Sequence, residues 1–509
     1  KVYSASVQGL SAIPVTIEVN ASRGVKFYLV GLPDNAVKES HERIVAAVEN
    51  SGYRFPSSKI VINMAPADIR KEGAGFDLPL AIGILATAGE VHPDLLKRTM
   101  LLGELSLDGS LQPVKGALPV AIMAREMGYE NLIVPEQNIR EAAVVNRLKV
   151  FGARHIAEVV KFLNGEGGLE QTQIDTRAEF YAQQTDFEFD FADVKGQESV
   201  KRALEVAAAG GHNVIMIGPP GSGKSMMAKR LPSILPPLSL AESLETTQIH
   251  SVAGKLGRDS SLIAQRPFRA PHHTISQIAL VGGGSNPQPG EVSLAHNGVL
   301  FCDELPEFSR ATLEVLRQPL EDRQINISRA KYSITYPCSF MFVASMNPCP
   351  CGYYNHPTKA CVCTPGQIHR YLHKISGPLL DRIDLQIEIT PLSFEELSRT
   401  APGESSAVIR ERVIRARQIQ GQRYAGEKGV HCNAQMTSRL LREFASLGEQ
   451  GTEMLREAMT RLQLSARAYD RILRVARTIA DLDGGGEIQI AHLAEAIGYR
   501  NLDRSNWGE

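Results

Sequence analysis

The chain has 509 residues, with 55 Lys and Arg against 56 Asp and Glu, a formal net charge of −1 and 43% hydrophobic residues. That length implies several domains of about 100–200 residues each, and the apolar content excludes an intrinsically disordered chain. The longest apolar stretch, residues 78–88, is too short for the roughly 18 residues of a membrane crossing. No charged segment followed by an apolar one opens the sequence, so a soluble, cytoplasmic protein without membrane contact is expected. With charge so evenly balanced, any contact with nucleic acid has to come from a local basic patch.

Residues 1–163 read as a domain of alternating strands and helices. Strands are predicted over 15–19, 26–30 and 60–64. A helix is predicted over 34–50, with Val37, Ile44, Val45 and Val48 at helical spacing and Gly52 as its stop, and a buried helix over 78–88. Residues 164–190 open with Gly165, Gly167 and Gly168 and continue rich in Gln, Thr and Asp, which predicts a linker. A second domain is expected over 191–391. The remainder, 392–509, is mostly helical and rich in Arg.

Within the second domain, Gly218, Pro219, Pro220, Gly221, Ser222, Gly223, Lys224 and Ser225 fit the pattern G-x-x-x-x-G-K-[ST], after an apolar strand predicted over 213–217. Glycines there let backbone N–H groups face phosphate oxygens, the Lys brings a charge to the β- and γ-phosphates, and the Ser can hold Mg²⁺. A chance glycine turn is the bland alternative, and the strand before and helix after weigh against it. About eighty residues on, an apolar run over 298–304 ends in Asp303 and Glu304. Asp303 suits the Mg²⁺ shell and Glu304 the activation of an attacking water. A third strand, predicted over 340–345, leads to Asn347, which could hold that water or, before Pro348, simply form a turn. The first role is favoured because this strand is expected between the other two. Arg382, within 376–384, could neutralise transition-state charge in a neighbouring subunit, or pair at the surface with Asp381 or Asp384.

Seven cysteines are present, and Cys349, Cys351, Cys361 and Cys363 form two C-x-C pairs separated by nine residues. Two thiolate pairs brought together by a loop satisfy tetrahedral zinc, so a structural zinc site is expected, with His356 able to replace one thiolate. The alternative is four reduced thiols in a surface loop.

The phosphate-loop and acidic motifs, Asn347 and the 376–384 stretch resemble AAA+ ATPases of the magnesium-chelatase and minichromosome-maintenance branch. The segments 266–274 (Arg-Pro-Phe-Arg-Ala-Pro-His-His-Thr), 282–284 (Gly-Gly-Gly) and 289–296 (Pro-Gly-Glu-Val-Ser-Leu-Ala-His) are closer still to bacterial magnesium-chelatase-like proteins of the ComM (YifB) family. The resemblance covers essentially the whole chain. It implies an α/β protein with three parts: a Lon-protease-like α/β domain over 1–163, an AAA+ P-loop core over 191–391 with a pre-sensor-1 hairpin and the Cys₄ insertion, and a C-terminal helical lid over 392–509. It also implies a homo-hexameric ATP-driven helicase acting on single-stranded and branched DNA, which branch-migrates during integration of transforming DNA and works beside recombination proteins.

Several site residues take their roles from the same resemblance. The stretch 325–334 is similar to a hairpin that points a Lys into the ring's pore, which implies Lys331 and nearby Arg329 as DNA-binding residues; a solvated hairpin tip is the alternative. His272 and His273 could touch DNA or be structural. Arg467 matches the sensor-2 arginine of the chelatase subunit, with Arg471 and Arg474 as fallbacks. Arg410, Arg412, Arg415, Arg417 and Arg423 form a basic run that could meet DNA, although Glu411 interrupts it and a solvated helix face is favoured. In the Lon-like domain, Gly75 falls at the catalytic serine and Leu118 at the catalytic lysine, with Lys115 three positions early. A Ser–Lys dyad needs a hydroxyl and a neutral amine, so this domain is expected to serve ring assembly or DNA guidance, not proteolysis. Two alternatives to the helicase remain: a chelatase-type motor that remodels a protein partner, and a DNA-binding scaffold that does not hydrolyse ATP.

Overall fold

The computed structural model describes residues 1–257, 260–284, 287–329, 332–392, 398 and 403–500. The chain forms two compact units. One takes Lys1–Ala182, Leu240–Ala264 and Ser328–Tyr336, and the other Gln183–Ser239, Gln265–Ile327 and the chain from Pro337 onward.

The main elements at the start of the first unit are β1 (Val2–Gln8), β2 (Ser11–Ser22), β3 (Phe27–Val30), α1 (Asn35–Asn50), β4 (Lys59–Ala65), α2 (Asp77–Thr87) and β5 (Thr99–Leu101). After them come α3 (Ala117–Glu126), β6 (Asn131–Pro135), β7 (Lys149–Ala153), α4 (Ile156–Leu163), β8 (Gln171–Thr172) and α5 (Thr176–Gln183). The strands form one mixed sheet in the order β8-β7-β6-β5-β1-β2-β4-β3. Alternation along the strands gives each face its own core: Leu101 and Ile133 join Ile44 of α1 and Ile84 of α2, while Met100, Leu132 and Val134 join Leu118 and Val120 of α3. Asp34 caps α1 by accepting from Val37 N at 2.8 Å. In α2 every residue from Asp77 to Leu85 is buried. A Cβ on Gly83 would come 2.7 Å from Val19 Cγ2, so the missing side chain is what brings α2 against β2.

The expected linker is partly regular. β8 pairs antiparallel with β7, and α5 is anchored by buried Phe180 and by Glu179, whose carboxylate accepts from Arg140 Nη2 at 2.8 and 2.9 Å. The polar composition hid a single apolar anchor and an ion pair distant in sequence.

The second unit is built on a parallel sheet. Its elements are α6 (Glu198–Gly210), β9 (Val214–Ile217), α7 (Lys224–Arg230), β10 (Phe268–Arg269), β11 (Val299–Cys302), β12 (Met341–Met346) and β13 (Leu385–Glu388). Strand order is β10-β11-β12-β9-β13, so β12 does lie between β11 and β9. All four residues of both β9 and β11 are buried, which is why they read as unbroken apolar runs. Ile217 stands opposite Met346 and Cys302 opposite Ala344, so β9 and β12 end level, β11 two residues earlier, and their connecting loops emerge at one edge.

The helix Ser406–Arg423 corrects the reading of its arginines. Arg412 pairs with Glu205 and Glu404, Arg417 donates to Ala208 O, Arg410 to Leu235 O, and Arg423 forms a pair with buried Asp481. These four cations tie the helix into its own unit, whereas Arg415 is exposed, its Nε on Glu411 O of the same helix, as a solvated face expects. A second excursion from the expected division is α8 (Leu240–Ala253), which lies in the first unit and meets α3 there, Gly116 N donating to Ser251 O at 3.0 Å. Strands Gln324–Arg329 and Tyr332–Pro337 form the expected hairpin. Lys331 lies outside the described residues, as does the Arg329 side chain. Among the described residues no helix is long and apolar enough to cross a membrane.

Candidate nucleotide site and metal centre

β9 runs directly into Gly218. A Cβ there would come 2.7 Å from Ile389 O and 2.9 Å from Ser222 Oγ, so only glycine lets the loop leave the strand at this angle. Gly221 and Gly223 take φ of +79° and +88°, the left-handed region that costs glycine little. Lys224 opens α7, and its Nζ donates to Gly218 O at 2.7 Å, Pro219 O at 2.9 Å and Asn347 Oδ1 at 3.2 Å. Burial lowers its pKa, while Asp303 and Glu304 favour the charged form. The ammonium thus bridges carbonyls around a concave loop, where phosphate oxygens are the natural replacement partners.

Directly after β11, Asp303 Oδ2 accepts from Ser225 Oγ at 2.7 Å, and its Oδ1 accepts from Ser345 Oγ and from Glu304 N. The two residues expected at Mg²⁺ are therefore in contact, and a hydroxyl beside a carboxylate is the hard oxygen set that ion takes. Glu304 turns off the strand with φ +52° and is exposed. Ser345 was missed in the sequence, although it stands two residues before Asn347 on the same strand face, where period-2 alternation could have found it.

The arginines divide. Arg382 is 7% exposed, not displayed: its guanidinium donates to Pro378 O and pairs with Glu321. The turn of helix at Gly377–Leu380 presents that carbonyl to it. Arg467 is the exposed one, paired with Asp381 at 3.1 Å. Arg471 meets buried Asp384 at 2.8 Å, and Arg474 donates to Met436 O. Burial works against the Asp384 carboxylate, but Arg471, His212 and the Asn213 N–H outweigh it and hold its pKa well below the usual range. His272 lies beside His273, ring centroids 4.1 Å apart, with Nδ1 on Thr274.

The four clustered cysteines converge, all four Sγ atoms lying within 4.8 Å of one another. Cys349 to Cys351, Cys349 to Cys361 and Cys351 to Cys361 measure 3.3, 3.7 and 3.6 Å. Those separations are too long for disulfides, whose sulfurs stand about 2.0 Å apart. They suit a tetrahedron of bonds about 2.3 Å long, whose edges are about 3.8 Å. Burial opposes ionisation of Cys351, yet backbone N–H groups of Tyr353 and Val362 and the neighbouring thiols bring it down to about 6; burial and those neighbours push Cys361 up to about 12. His356 Nδ1 accepts from Thr358 N and Lys359 N, so the four-thiol set is complete without it.

In the first unit, a Cβ on Gly75 would meet only Leu102 Cδ1 at 3.4 Å and Val114 Cγ1 at 3.6 Å, and Leu118 is fully buried. Near them a cavity of about 300 Å³ is lined by Lys115, Asn138, Glu141, Ser251, Gly254 and Ser260, among others. Within its lining, Glu141 accepts from Ser251 Oγ at 2.5 Å and from Asn138 Nδ2 at 2.6 Å.

Comparison with known proteins covers both units. The family model described as magnesium chelatase, subunit ChlI, matches residues 190–397; that of subunit ChlI of Mg-chelatase matches 17–138; and that of the ChlI C-terminal region matches 403–500. The competence protein ComM of Haemophilus influenzae is 45% identical over 509 residues, covering 99% of this chain and 97% of its own. The protein YifB of Salmonella typhimurium is 45% identical over 507 residues with the same coverage. Lon protease 2 of Bacillus subtilis is 33% identical over 157 residues, 28% of this chain and 27% of its own. With the parallel sheet and C-terminal helices, these matches give a Lon-like α/β domain, an AAA+ core and a helical C-terminal region.

Proposed function

The chain belongs to the ComM (YifB) family of magnesium-chelatase-like AAA+ proteins, and from that premise we propose that it is an ATP-hydrolysing, ring-forming DNA translocase. It promotes branch migration in the cytoplasm during recombination of transforming DNA, as a homo-hexamer on single-stranded and branched DNA, beside recombination proteins. The observation that carries the ATPase part is the meeting of Lys224, Ser225, Asp303 and Asn347 at the C-terminal ends of β9, β11 and β12. Lys224 exchanges its loop carbonyls for the β- and γ-phosphate oxygens of ATP. Bound Mg²⁺, held through Ser225 and Asp303, supplies positive charge against the phosphates. Glu304 takes the proton of the attacking water, and Asn347, already fixed by Lys224, orients that water. Arg382 leaves Glu321 to reach the nucleotide of a neighbouring subunit, and Arg467 leaves Asp381 to reach its own.

The DNA part is supported by the hairpin Gln324–Arg329 and Tyr332–Pro337 and by the competence role in the name of the Haemophilus relative. Lys331 and Arg329 at its tip contact the phosphate backbone, one set per subunit around the ring. The four thiolates hold a structural zinc ion. With neither a hydroxyl at Gly75 nor an amine at Leu118, the Lon-like domain assists assembly or guides DNA.

The match of chelatase models to the core favours one second reading, a motor that remodels a protein partner. ATP turnover by the purified protein, with and without forked DNA, separates the two. Stimulation by DNA that disappears in Lys331→Ala supports the translocase. Turnover indifferent to DNA sinks it and leaves the protein-remodelling motor. No turnover at all leaves a DNA-binding scaffold.

A further inference from the structure

The cysteine cluster and the phosphate loop share a wall. Asn347, whose Oδ1 accepts from Lys224 Nζ at 3.2 Å, stands two residues before buried Cys349. On the far side of the cluster the chain passes Cys363, is capped by Thr364 and enters the helix Pro365–Leu372. Tyr371 of that helix is buried, and the Asn347 backbone N–H lies near enough to its phenol oxygen to favour the ionised form. Both ends of the cysteine loop therefore lie beside the residue that touches the phosphate-loop lysine.

Gly352 makes the third connection. It takes φ +83°, donates its N–H to Cys349 O at 3.0 Å, and lies against the ring of Pro220. A Cβ on it would come 2.6 Å from Pro220 Cδ and 3.9 Å from Asn347 Cγ. Conformation and contact both demand glycine there. Closing the Cys349–Cys363 loop on a metal turns it into one rigid body, which presents Gly352, Cys349 and Tyr371 at fixed positions. Without metal, the four thiols have no common partner, and the loop regains the freedom that ligation removes.

We propose that metal occupancy of the cysteine cluster and nucleotide occupancy of the phosphate loop are thermodynamically linked, with Gly352 and Tyr371 as the positioning residues that carry the linkage. A thiophilic divalent ion such as zinc, taken by the four thiolates, holds Asn347 and Pro220 in the arrangement that grips nucleotide. The inference rests on the proposed function, in which the loop takes ATP and the thiolates take metal. Linkage is reciprocal, so nucleotide strengthens metal binding by the same factor by which metal strengthens nucleotide binding.

The test uses the full chain, loaded with Co²⁺, whose visible absorption reports tetrahedral thiolate ligation, or stripped by chelator under reducing conditions. Binding of a fluorescent ATP analogue is titrated with Mg²⁺ present. The loaded protein is expected to bind the analogue about tenfold more tightly than the stripped protein, and saturating analogue to tighten Co²⁺ by the same factor of about ten. Gly352→Ala keeps the cobalt bands while its affinity for the analogue falls to that of the stripped chain. Tyr371→Phe, which removes the phenol oxygen facing Asn347 and keeps the ring, narrows the difference and decides the matter should Gly352→Ala fail to fold. Equal nucleotide affinity of loaded and stripped wild-type protein overturns the linkage alone. Absence of cobalt bands, or of nucleotide binding, in the wild type strikes the underlying metal or nucleotide reading and takes the linkage with it.

Discussion

The phosphate loop before α7 and the Gly75–Leu118 region of the first unit are both places where a glycine-bearing chain turns into a helix, and they hold opposite chemistry. At the first, Lys224 is nearly buried yet keeps its charge by donating to three oxygens. At the second, Gly75 faces Leu102 and Val114, and Leu118 is fully buried, so neither residue offers a hydroxyl or an amine. The backbone scaffold survives in both because packing maintains it. Lys224 can stay buried because its Nζ has three oxygen partners, since an unpartnered buried amine costs several kcal/mol.

The contrast breaks most sharply at Lys224. Lys224→Ala is expected to lower ATP turnover by about 10³ or more, because it removes charge aimed at the transition state, and phosphate release measures it. An unchanged rate would make the two regions equally inert. Restoring an amine to the other region works against the fold: Leu118→Lys buries an unpaired cation and is expected to destabilise the protein by on the order of 3–5 kcal/mol, read by denaturant unfolding. Gly75→Ser meets only ordinary contact distances and is expected to cost under about 1 kcal/mol. Equal penalties at the two positions would show that the region was not emptied in the way its packing implies.

Next in size is Asp384. Its carboxyl pKa is depressed in the folded protein, so its contribution to stability is complete above the unfolded value of about 4 and is lost as pH falls through the folded value. Asp384→Asn leaves Arg471 without its counter-ion, an expected loss of about 3 kcal/mol at neutral pH. Unfolding midpoints should show that gap closing in acid below pH ~4; a constant gap down to pH ~2 would contradict the assignment. The smallest effect on stability is expected at Arg467, whose pair with Asp381 is exposed. Arg467→Ala should change stability by no more than about 1 kcal/mol while slowing ATP turnover; normal turnover would transfer the sensor role to Arg471.

Legibility tracked the range of the interaction. The helix α1, with its Asp34 cap and Val37, Ile44 and Val48 on one face, needs only neighbours in sequence. So do the buried runs of β9 and β11 and the glycines of the phosphate loop. By contrast, Phe180 and Glu179 anchor a segment whose composition reads as linker, because Arg140 and the β7 edge supply the partners. Arg382 reads as displayed, yet Glu321, sixty-one residues away, holds it in. The basic run on Ser406–Arg423 reads as a solvated face, which holds for exposed Arg415, yet the other four have Glu205, Ala208 O, Leu235 O and Asp481 as partners.

The order of residues alone determined the strand, loop and helix of the phosphate site, the acidic pair, and two thiol pairs at ligand spacing, because these depend on local backbone conformation and on which atoms a side chain carries. The tertiary structure alone decided that Ser345 joins Asp303, that Arg382 is tucked away, and that Gly352 rests on Pro220 beside Asn347. Each of those depends on which distant segments share a sheet edge, and a contact across the fold leaves no periodicity in the chain to read.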